Sequence, residues 1–154
     1  MKGLFAFALL VLFLLSCKKD RLVKNKSILI GEWEWVHTYT STTYPGLVTY
    51  TITNLHTPIT DSSNYQLEFY KRGKVEFFTN DNLFFKRRLV FNKFEPDESQ
   101  PEYFNFNVYL DNDDDNILVG SVSQDTLILN LAPYNGYSQN ISSLLRYQSY
   151  YVRK

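Results

Sequence analysis

The densest group of chemically capable side chains is the acidic run from Asp111 to Asp115. Carboxylates at alternate positions are typical of calcium loops, but such a loop also needs glycine at its sixth place and glutamate at its twelfth. Counted from Asp111, those places hold Asn116 and Val122, and the valine side chain has no oxygen to offer a metal. The sequence therefore predicts a charged turn between two strands, not a calcium site.

Glu32 and Glu34 are the next candidates for acid–base chemistry. Residues two apart on a strand share one face, and paired carboxylates on one face are the groups that glycosidases use. Trp33 and Trp35 occupy the opposite face, which we expect to point into the core. The two glutamates are therefore predicted to be solvated on the outside.

The chain has two histidines, His37 and His56. His37 continues the face of the tryptophans, which predicts that it lies beside Trp35 at the mouth of a cavity. Two histidines so far apart in the chain are a poor metal signature. The sequence also has no Gly-x-Ser-x-Gly elbow and no glycine-rich phosphate loop. We expect no catalytic residue, no metal, no cofactor, and hence a protein that is not an enzyme.

Cys17 is the only cysteine, so no disulfide forms within the chain. It follows a short basic start at Lys2, an apolar run from Leu4 to Leu15, and then Ser16. This order is that of a secretory signal peptide, and the run is shorter than the ~20 apolar residues that cross a bilayer. Residues 1–16 are therefore predicted to be a signal peptide.

Leu14-Leu15-Ser16-Cys17 resembles the lipobox of bacterial lipoproteins. The resemblance implies cleavage before Cys17 and attachment of acyl chains such as palmitate to that cysteine, with membrane lipid as its partner. Two or more acyl chains hold a protein stably to a membrane. The protein is then expected in the cell envelope, outside the cytoplasm and attached to the outer membrane. Residues 17–26, which are rich in lysine, are predicted to be a basic tether.

Residues 27–154 are predicted to form one all-β domain. Apolar and polar residues alternate along short segments separated by turn sequences, and 12 tyrosines with 12 phenylalanines favour strands. One such turn is Lys71-Arg72-Gly73-Lys74, where glycine can supply the positive φ of a tight hairpin. About eight or nine strands with short turns predict a small antiparallel up-and-down barrel. The formal net charge of zero argues against nucleic acid as a partner.

Gly31-Glu32-Trp33, at the head of the first predicted strand, resembles the G-x-W signature of lipocalins. In that family an arginine of the last strand packs over the tryptophan at the closed end of the barrel. Arg153 is the residue that matches here. The resemblance implies a lipocalin-like barrel that is closed by the pair Trp33 and Arg153.

The sequence leaves two binding functions open for this domain, which we expect to be a monomer, besides a hydrolase that no motif reveals. Nine large side chains are predicted to point inward: Trp33, Trp35, Leu67, Phe69, Phe104, Phe106, Leu127, Leu129 and Tyr151. The barrel is therefore expected to be mostly filled, with a shallow pocket for a small apolar ligand near Trp35 and His37. Alternatively, the outward-pointing Tyr103 and Tyr109, with two asparagines between them, form a face that recognises protein or glycan. Tyrosine suits such half-wet interfaces.

Overall fold

The computed structural model of the chain describes residues 22, 24–44, 50–130 and 145–154. The predicted signal peptide (1–16), Cys17 and most of the predicted tether lie outside these residues. Within the described ranges, no helix is both long enough and apolar enough to cross a membrane.

Strands dominate the described residues, as the sequence predicts. The first four are β1 (Gly31–Tyr44), β2 (Tyr50–His56), β3 (Tyr65–Tyr70) and β4 (Lys74–Thr79). The next five are β5 (Asn82–Pro96), β6 (Phe104–Leu110), β7 (Asp113–Val122), β8 (Thr126–Leu129) and β9 (Leu145–Arg153). Two short helices accompany them, a 3₁₀ helix over Lys24–Leu29 and α1 over Pro58–Asp61.

The strands form one antiparallel sheet that closes on itself. From β3 to β9 each strand pairs with the next one in the chain, and β9 pairs back with β1. On its other edge β1 pairs with β3 along residues 31–34 and with β2 along residues 38–44. Because β2 and β3 share one position beside β1, the ring has eight members, and the predicted antiparallel up-and-down barrel is confirmed.

A β-bulge in β1 decides which of its side chains point inward. The register against β9 shifts between Trp35 and His37, so the alternation of faces inverts there. Trp33 and Trp35 are buried before the bulge, and Thr38 is buried after it. The expectation that His37 continues the tryptophan face is therefore wrong, because the extra residue turns its ring outward.

Large apolar side chains fill the barrel. Trp33, Trp35 and Tyr151 are each at most 1% exposed. Phe104, which the alternation also directs inward, packs against this core while only partly buried. The remaining strand residues of the core are Leu67, Phe69, Val75, Phe77, Leu89, Phe106, Val108, Leu110, Leu118, Val122, Leu127 and Leu129. Each such side chain stabilises the fold by about 1.5–3 kcal/mol when fully buried, so this packing dominates stability.

The chain before β1 plugs one end of the barrel, which we call the closed end. Leu22 and Leu29 are both buried against the core. The backbone N–H of Leu22 donates to the carbonyl oxygen of Lys71, in the turn between β3 and β4, at 3.2 Å. Leu22 lies within the segment predicted to be a tether, so the packed domain begins before residue 27.

The acidic run begins as a turn and continues as a strand. Asp111 and Asn112 form the turn, with φ angles of 56° and 64°, and β7 begins at Asp113. Short polar side chains tolerate this left-handed backbone better than most others. The carboxylate of Asp111 also accepts a hydrogen bond from the backbone N–H of Arg88 at 2.8 Å, which attaches the turn to β5.

Candidate functional site

Trp33 and Arg153 meet at the closed end of the barrel. They are paired directly across β1 and β9, and the guanidinium carbon lies 4.2 Å from the centre of the Trp33 ring. At this distance a cation is attracted to the negative face of an indole. The indole Nε1 donates to the carbonyl oxygen of Leu29 at 2.9 Å. The pair named from the sequence is therefore in contact, with the 3₁₀ helix bound to it.

The Arg153 guanidinium donates hydrogen bonds to two segments of backbone, the one before β1 and the turn between β7 and β8. Nη1 donates to the carbonyl oxygen of Ile30 at 2.7 Å, and Nη2 donates to that of Ile28 at 2.5 Å. Nε donates to the carbonyl oxygen of Gln124, in the turn between β7 and β8, at 2.7 Å. Because a charged donor makes stronger hydrogen bonds than a neutral one, Arg153 fastens the plug to the barrel wall.

Trp35 lies inside the barrel, where it is only 1% exposed. Its Nε1 donates to the Thr38 hydroxyl at 2.8 Å, and that hydroxyl lies 2.8 Å from the hydroxyl of Ser149. Thr38 and Ser149 are themselves fully buried. Trp35 and His37 do not form the predicted ligand pocket together, because the bulge places them on opposite faces of the sheet.

Thr40, His56 and Asp61 form a hydrogen-bonded chain that the sequence does not reveal. Thr40 Oγ1 lies 3.3 Å from His56 Nε2, and His56 Nδ1 lies 3.4 Å from Asp61 Oδ1. Hydroxyl, imidazole and carboxylate in this order are the parts of an activated nucleophile. Thr40 is only 6% exposed, however, and a nucleophile must be open to its substrate. We therefore assign these hydrogen bonds a structural role: they connect β1, β2 and α1.

His37 belongs to an aromatic cluster on the outer face, which it forms with Tyr39 and Tyr150. The imidazole stacks on Tyr150 with ring centres 4.5 Å apart, and Tyr39 meets His37 edge-on at 5.0 Å. Partial burial lowers the pKa of His37 and raises the pKa of Tyr150, because each charged form is less well solvated there. The cluster thus presents half-exposed, uncharged rings.

A cleft of about 360 Å³ opens on the outer face, across strands β5 to β9. Its volume lies in the range of small-ligand sites. Val119 and Ile128 supply apolar surface, but carboxamides and other hydrogen-bonding side chains dominate its wall. These polar residues are Lys93, Asn105, Asn107, Ser121, Asn130 and Gln148. We call this site the amide cleft.

Strand register connects the amide cleft to the aromatic cluster. Asn105 pairs with Ser121 across β6 and β7, and Ser121 pairs with Ile128 on β8. Ile128 in turn pairs with Tyr150 on β9. Residues directly opposite each other on paired strands share a face, so this row runs from the cleft to the aromatic rings without interruption.

Gly120 allows the strands at the floor of the cleft to approach each other. A Cβ atom at this position would lie 2.2 Å from the carbonyl oxygen of Ile128 and 3.1 Å from Cζ of Phe106. No side chain tolerates the first of these distances without movement of the backbone. Glycine is therefore required here for β7 to pair with β8 as observed.

Asp97, in the loop between β5 and β6, holds Asn105 in place. Its Oδ2 accepts a hydrogen bond from Asn105 Nδ2 at 2.8 Å. Its Oδ1 accepts hydrogen bonds from the Ser99 hydroxyl at 2.6 Å and from the backbone N–H groups of Ser99 and Gln100 at 2.8 and 3.1 Å. These hydrogen bonds hold the pKa of Asp97 well below its usual range, and those from the side chains of Ser99 and Asn105 contribute most. Asp97 is therefore a positioning residue for one carboxamide of the amide cleft.

The tyrosine face expected from the sequence only partly coincides with this site. Tyr103 and Tyr109 are half-buried; Tyr109 lies on β6 with Asn105 and Asn107, and Tyr103 directly precedes this strand. The cleft is lined by the two asparagines and not by the two tyrosines. Sequence reasoning missed Gln148 altogether, because this residue reaches the cleft only through the pairing of distant strands.

The other chemically capable residues lie apart from the amide cleft. Glu32 Oε2 lies 3.6 Å from Lys154 Nζ, and Glu34 accepts a hydrogen bond from Asn64 Nδ2 at 3.3 Å. In the part of the chain that the structure describes, no three His, Cys, Asp or Glu side chains are grouped so as to hold a metal ion.

The chain matches no protein-family model, no curated protein and no solved structure. Its function is therefore inferred from the chemistry of the cleft and its surroundings.

Proposed function

We propose that this chain is a non-enzymatic binding protein of the cell envelope, held to the membrane through Cys17, that recognises a glycan through the amide cleft. One observation carries the proposal: buried side chains pack the barrel interior, whereas hydrogen-bonding groups gather around a cleft on its outside. Trp33, Trp35 and Tyr151 occupy the space in which a carrier barrel holds its ligand. The binding site is accordingly expected on the outer face.

The groups in the cleft suit a ligand that is rich in hydroxyls. Each carboxamide offers an acceptor oxygen and two N–H donors in one plane, which allows it to pair with neighbouring hydroxyl groups. Asn105 and Asn107 project from β6, and Gln148 projects from β9. The cation in the wall, Lys93, is already paired with Glu95 at 2.5 Å. A neutral sugar therefore suits these uncharged carboxamides and the neutralised lysine better than an anion does.

The aromatic cluster adds an apolar platform beside these groups. A sugar ring packs its C–H face on an aromatic ring while its hydroxyls remain available at the rim, and tyrosine suits such half-wet contacts. Tyr150 is the ring that lies in the same row as Ile128 of the cleft. The concave shape also favours a glycan over a protein, because a stable protein interface buries about 800 Å² on each partner.

The test of glycan recognition is a calorimetric titration of the chain from residue 17, carrying Cys17→Ala, with a panel of neutral oligosaccharides. We expect saturable binding of at least one of them. Asn107→Ala and Gln148→Ala should each weaken that binding about tenfold or more, since each removes a hydrogen-bonding partner from the ligand. Asn54→Ala, at an exposed position of β2, is the matched control and should bind as the parent does. No binding in the panel, or equal loss in all three variants, would contradict the proposal.

The membrane anchor is tested separately, by metabolic labelling with a fatty acid. The motif Leu14-Leu15-Ser16-Cys17 motivates this part of the proposal. Label should enter the full chain and should not enter Cys17→Ala. Equal labelling of both proteins would show that Cys17 is not the acylated residue.

A further inference from the structure

We propose that the closed end of the barrel carries a second interaction surface, which docks on anionic lipid headgroups and orients the domain on the membrane. The surface consists of Lys71, Arg72, Lys74 and Arg88, and we call it the basic patch. The inference rests on the proposed attachment at Cys17 and adds to it a defined face of the folded domain.

The basic patch is built by the turn between β3 and β4 and by the strand beside it. Lys71, Arg72 and Lys74 are exposed around this turn. Lys74 is paired directly with Arg88 of β5, and both side chains point outward, because Val75 and Leu89 next to them are buried. Like charges directly opposite each other destabilise a sheet. A surface that binds anions compensates for this repulsion.

Within the described residues, no salt bridge neutralises a cation of the basic patch. Among the described residues, the salt bridges formed by lysine and arginine join Arg87 to Asp111, Lys93 to Glu95, and Lys154 to Glu32. Lys71, Arg72, Lys74 and Arg88 take part in none of them. Their charge is therefore available to an external partner.

The path of the chain places this surface next to the proposed anchor. Leu22 is hydrogen-bonded through its backbone N–H to Lys71, the first residue of the patch. Cys17 precedes Leu22 by only a few residues, which span at most about 18 Å when fully extended. Lys18, Lys19 and Arg21, against Asp20, add net positive charge along this connection. An anchor at Cys17 thus allows the basic patch to approach the headgroups to within the Debye length of about 8 Å, where the attraction is effective.

This orientation leaves the amide cleft accessible. The cleft is lined from β5 to β9, with its carboxamides on β6, β9 and the end of β8, whereas the patch lies on the β3–β4 turn and at Arg88. The two surfaces share no residue. The domain is therefore able to lie with its closed end against the bilayer while a glycan occupies the cleft.

The test uses the chain from Cys17, coupled through this single cysteine to a maleimide phospholipid in vesicles. Coupling by chemistry removes any dependence on acylation in the cell, so failure of this test and failure of the fatty-acid labelling are distinguishable. The rate of acetylation of each lysine is measured by mass spectrometry on vesicles of phosphatidylcholine, with and without phosphatidylglycerol. We expect Lys71 and Lys74 to react several-fold more slowly on the anionic vesicles, with Lys93 of the amide cleft unchanged. Equal rates on both vesicles, or equal protection of Lys93, would overturn the proposal.

A second measurement uses the uncoupled chain with Cys17→Ala and follows its sedimentation with anionic vesicles. A triple variant that combines Lys71→Gln, Arg72→Gln and Lys74→Gln should bind these vesicles at least about tenfold more weakly, because each basic residue is attracted to an anionic surface. The control combines Thr53→Glu, Leu55→Glu and Ile59→Glu, which changes the net charge equally at exposed positions of β2 and α1. This control should bind nearly as the parent does. Equal weakening by the two triple variants would mean that net charge, and not the patch, governs binding.

Discussion

Arg153→Ala should destabilise the domain more than the loss of any other surface cation. The guanidinium donates three hydrogen bonds, to the carbonyl oxygens of Ile28, Ile30 and Gln124, and it lies 4.2 Å from the centre of the Trp33 ring. Each hydrogen bond is taken to contribute about 1 kcal/mol to the free energy of unfolding. This value is below the range for buried charged donors, because the Arg153 side chain is partly exposed. The cation–π contact adds about 0.5–1 kcal/mol. The expected loss is therefore about 3–4 kcal/mol, a large part of the ~5–15 kcal/mol that stabilises a typical domain.

The assay is urea unfolding of the chain from residue 17, followed by the fluorescence of Trp33 and Trp35. Lys154→Ala is the matched control, because its ammonium forms only an exposed ion pair with Glu32 at 3.6 Å. Such pairs are worth about 0–1 kcal/mol, so this variant should unfold nearly as the parent does. Arg153→Lys retains the positive charge but loses the planar guanidinium and its several N–H donors. Its stability should therefore lie between that of Arg153→Ala and that of the parent. A loss below about 1 kcal/mol in Arg153→Ala would refute the view that Arg153 fastens the plug.

Three further outcomes follow from the barrel and its cleft. Gly120→Ala should destabilise the domain by at least about 2 kcal/mol in the same unfolding assay, since its Cβ would lie 2.2 Å from the Ile128 carbonyl oxygen; an unchanged midpoint would show that β7 adjusts freely. Burial lowers the pKa of His37 from 6.5, so the neutral ring contributes stability above pH 6.5 that is lost as the pH falls below it. His37→Gln should therefore flatten the fall in stability between neutral and mildly acidic pH, and a steeper fall would contradict this sign. An apolar fluorescent dye should show at most weak binding, because Trp35 and Tyr151 fill the lumen; tight one-to-one binding that Trp35→Ala abolishes would instead indicate a carrier.

Local patterns in the sequence were enough to predict the all-β fold and part of its core. Side chains on a strand alternate with a period of two, so Leu67, Phe69, Leu127 and Leu129 could be placed on inner faces without knowing their partners. The turn around Gly73, with its φ of 74°, follows from glycine's tolerance of positive φ. Each of these features depends on residues that are neighbours in the chain.

The position of His37 and the amide cleft depend instead on tertiary structure. The bulge after Trp35 exists because β1 pairs with β9 in a register that accommodates an extra residue, and no local pattern marks that residue. Asn107 and Gln148 lie far apart in the chain and reach one cleft only because β6, β7, β8 and β9 pair side by side in this register. Alternation along one strand specifies which way a side chain points, but not which side chain of another strand lies beside it. The neighbour on another strand is determined by the register of the strands and the closure of the barrel. Both depend on the packing of the whole interior.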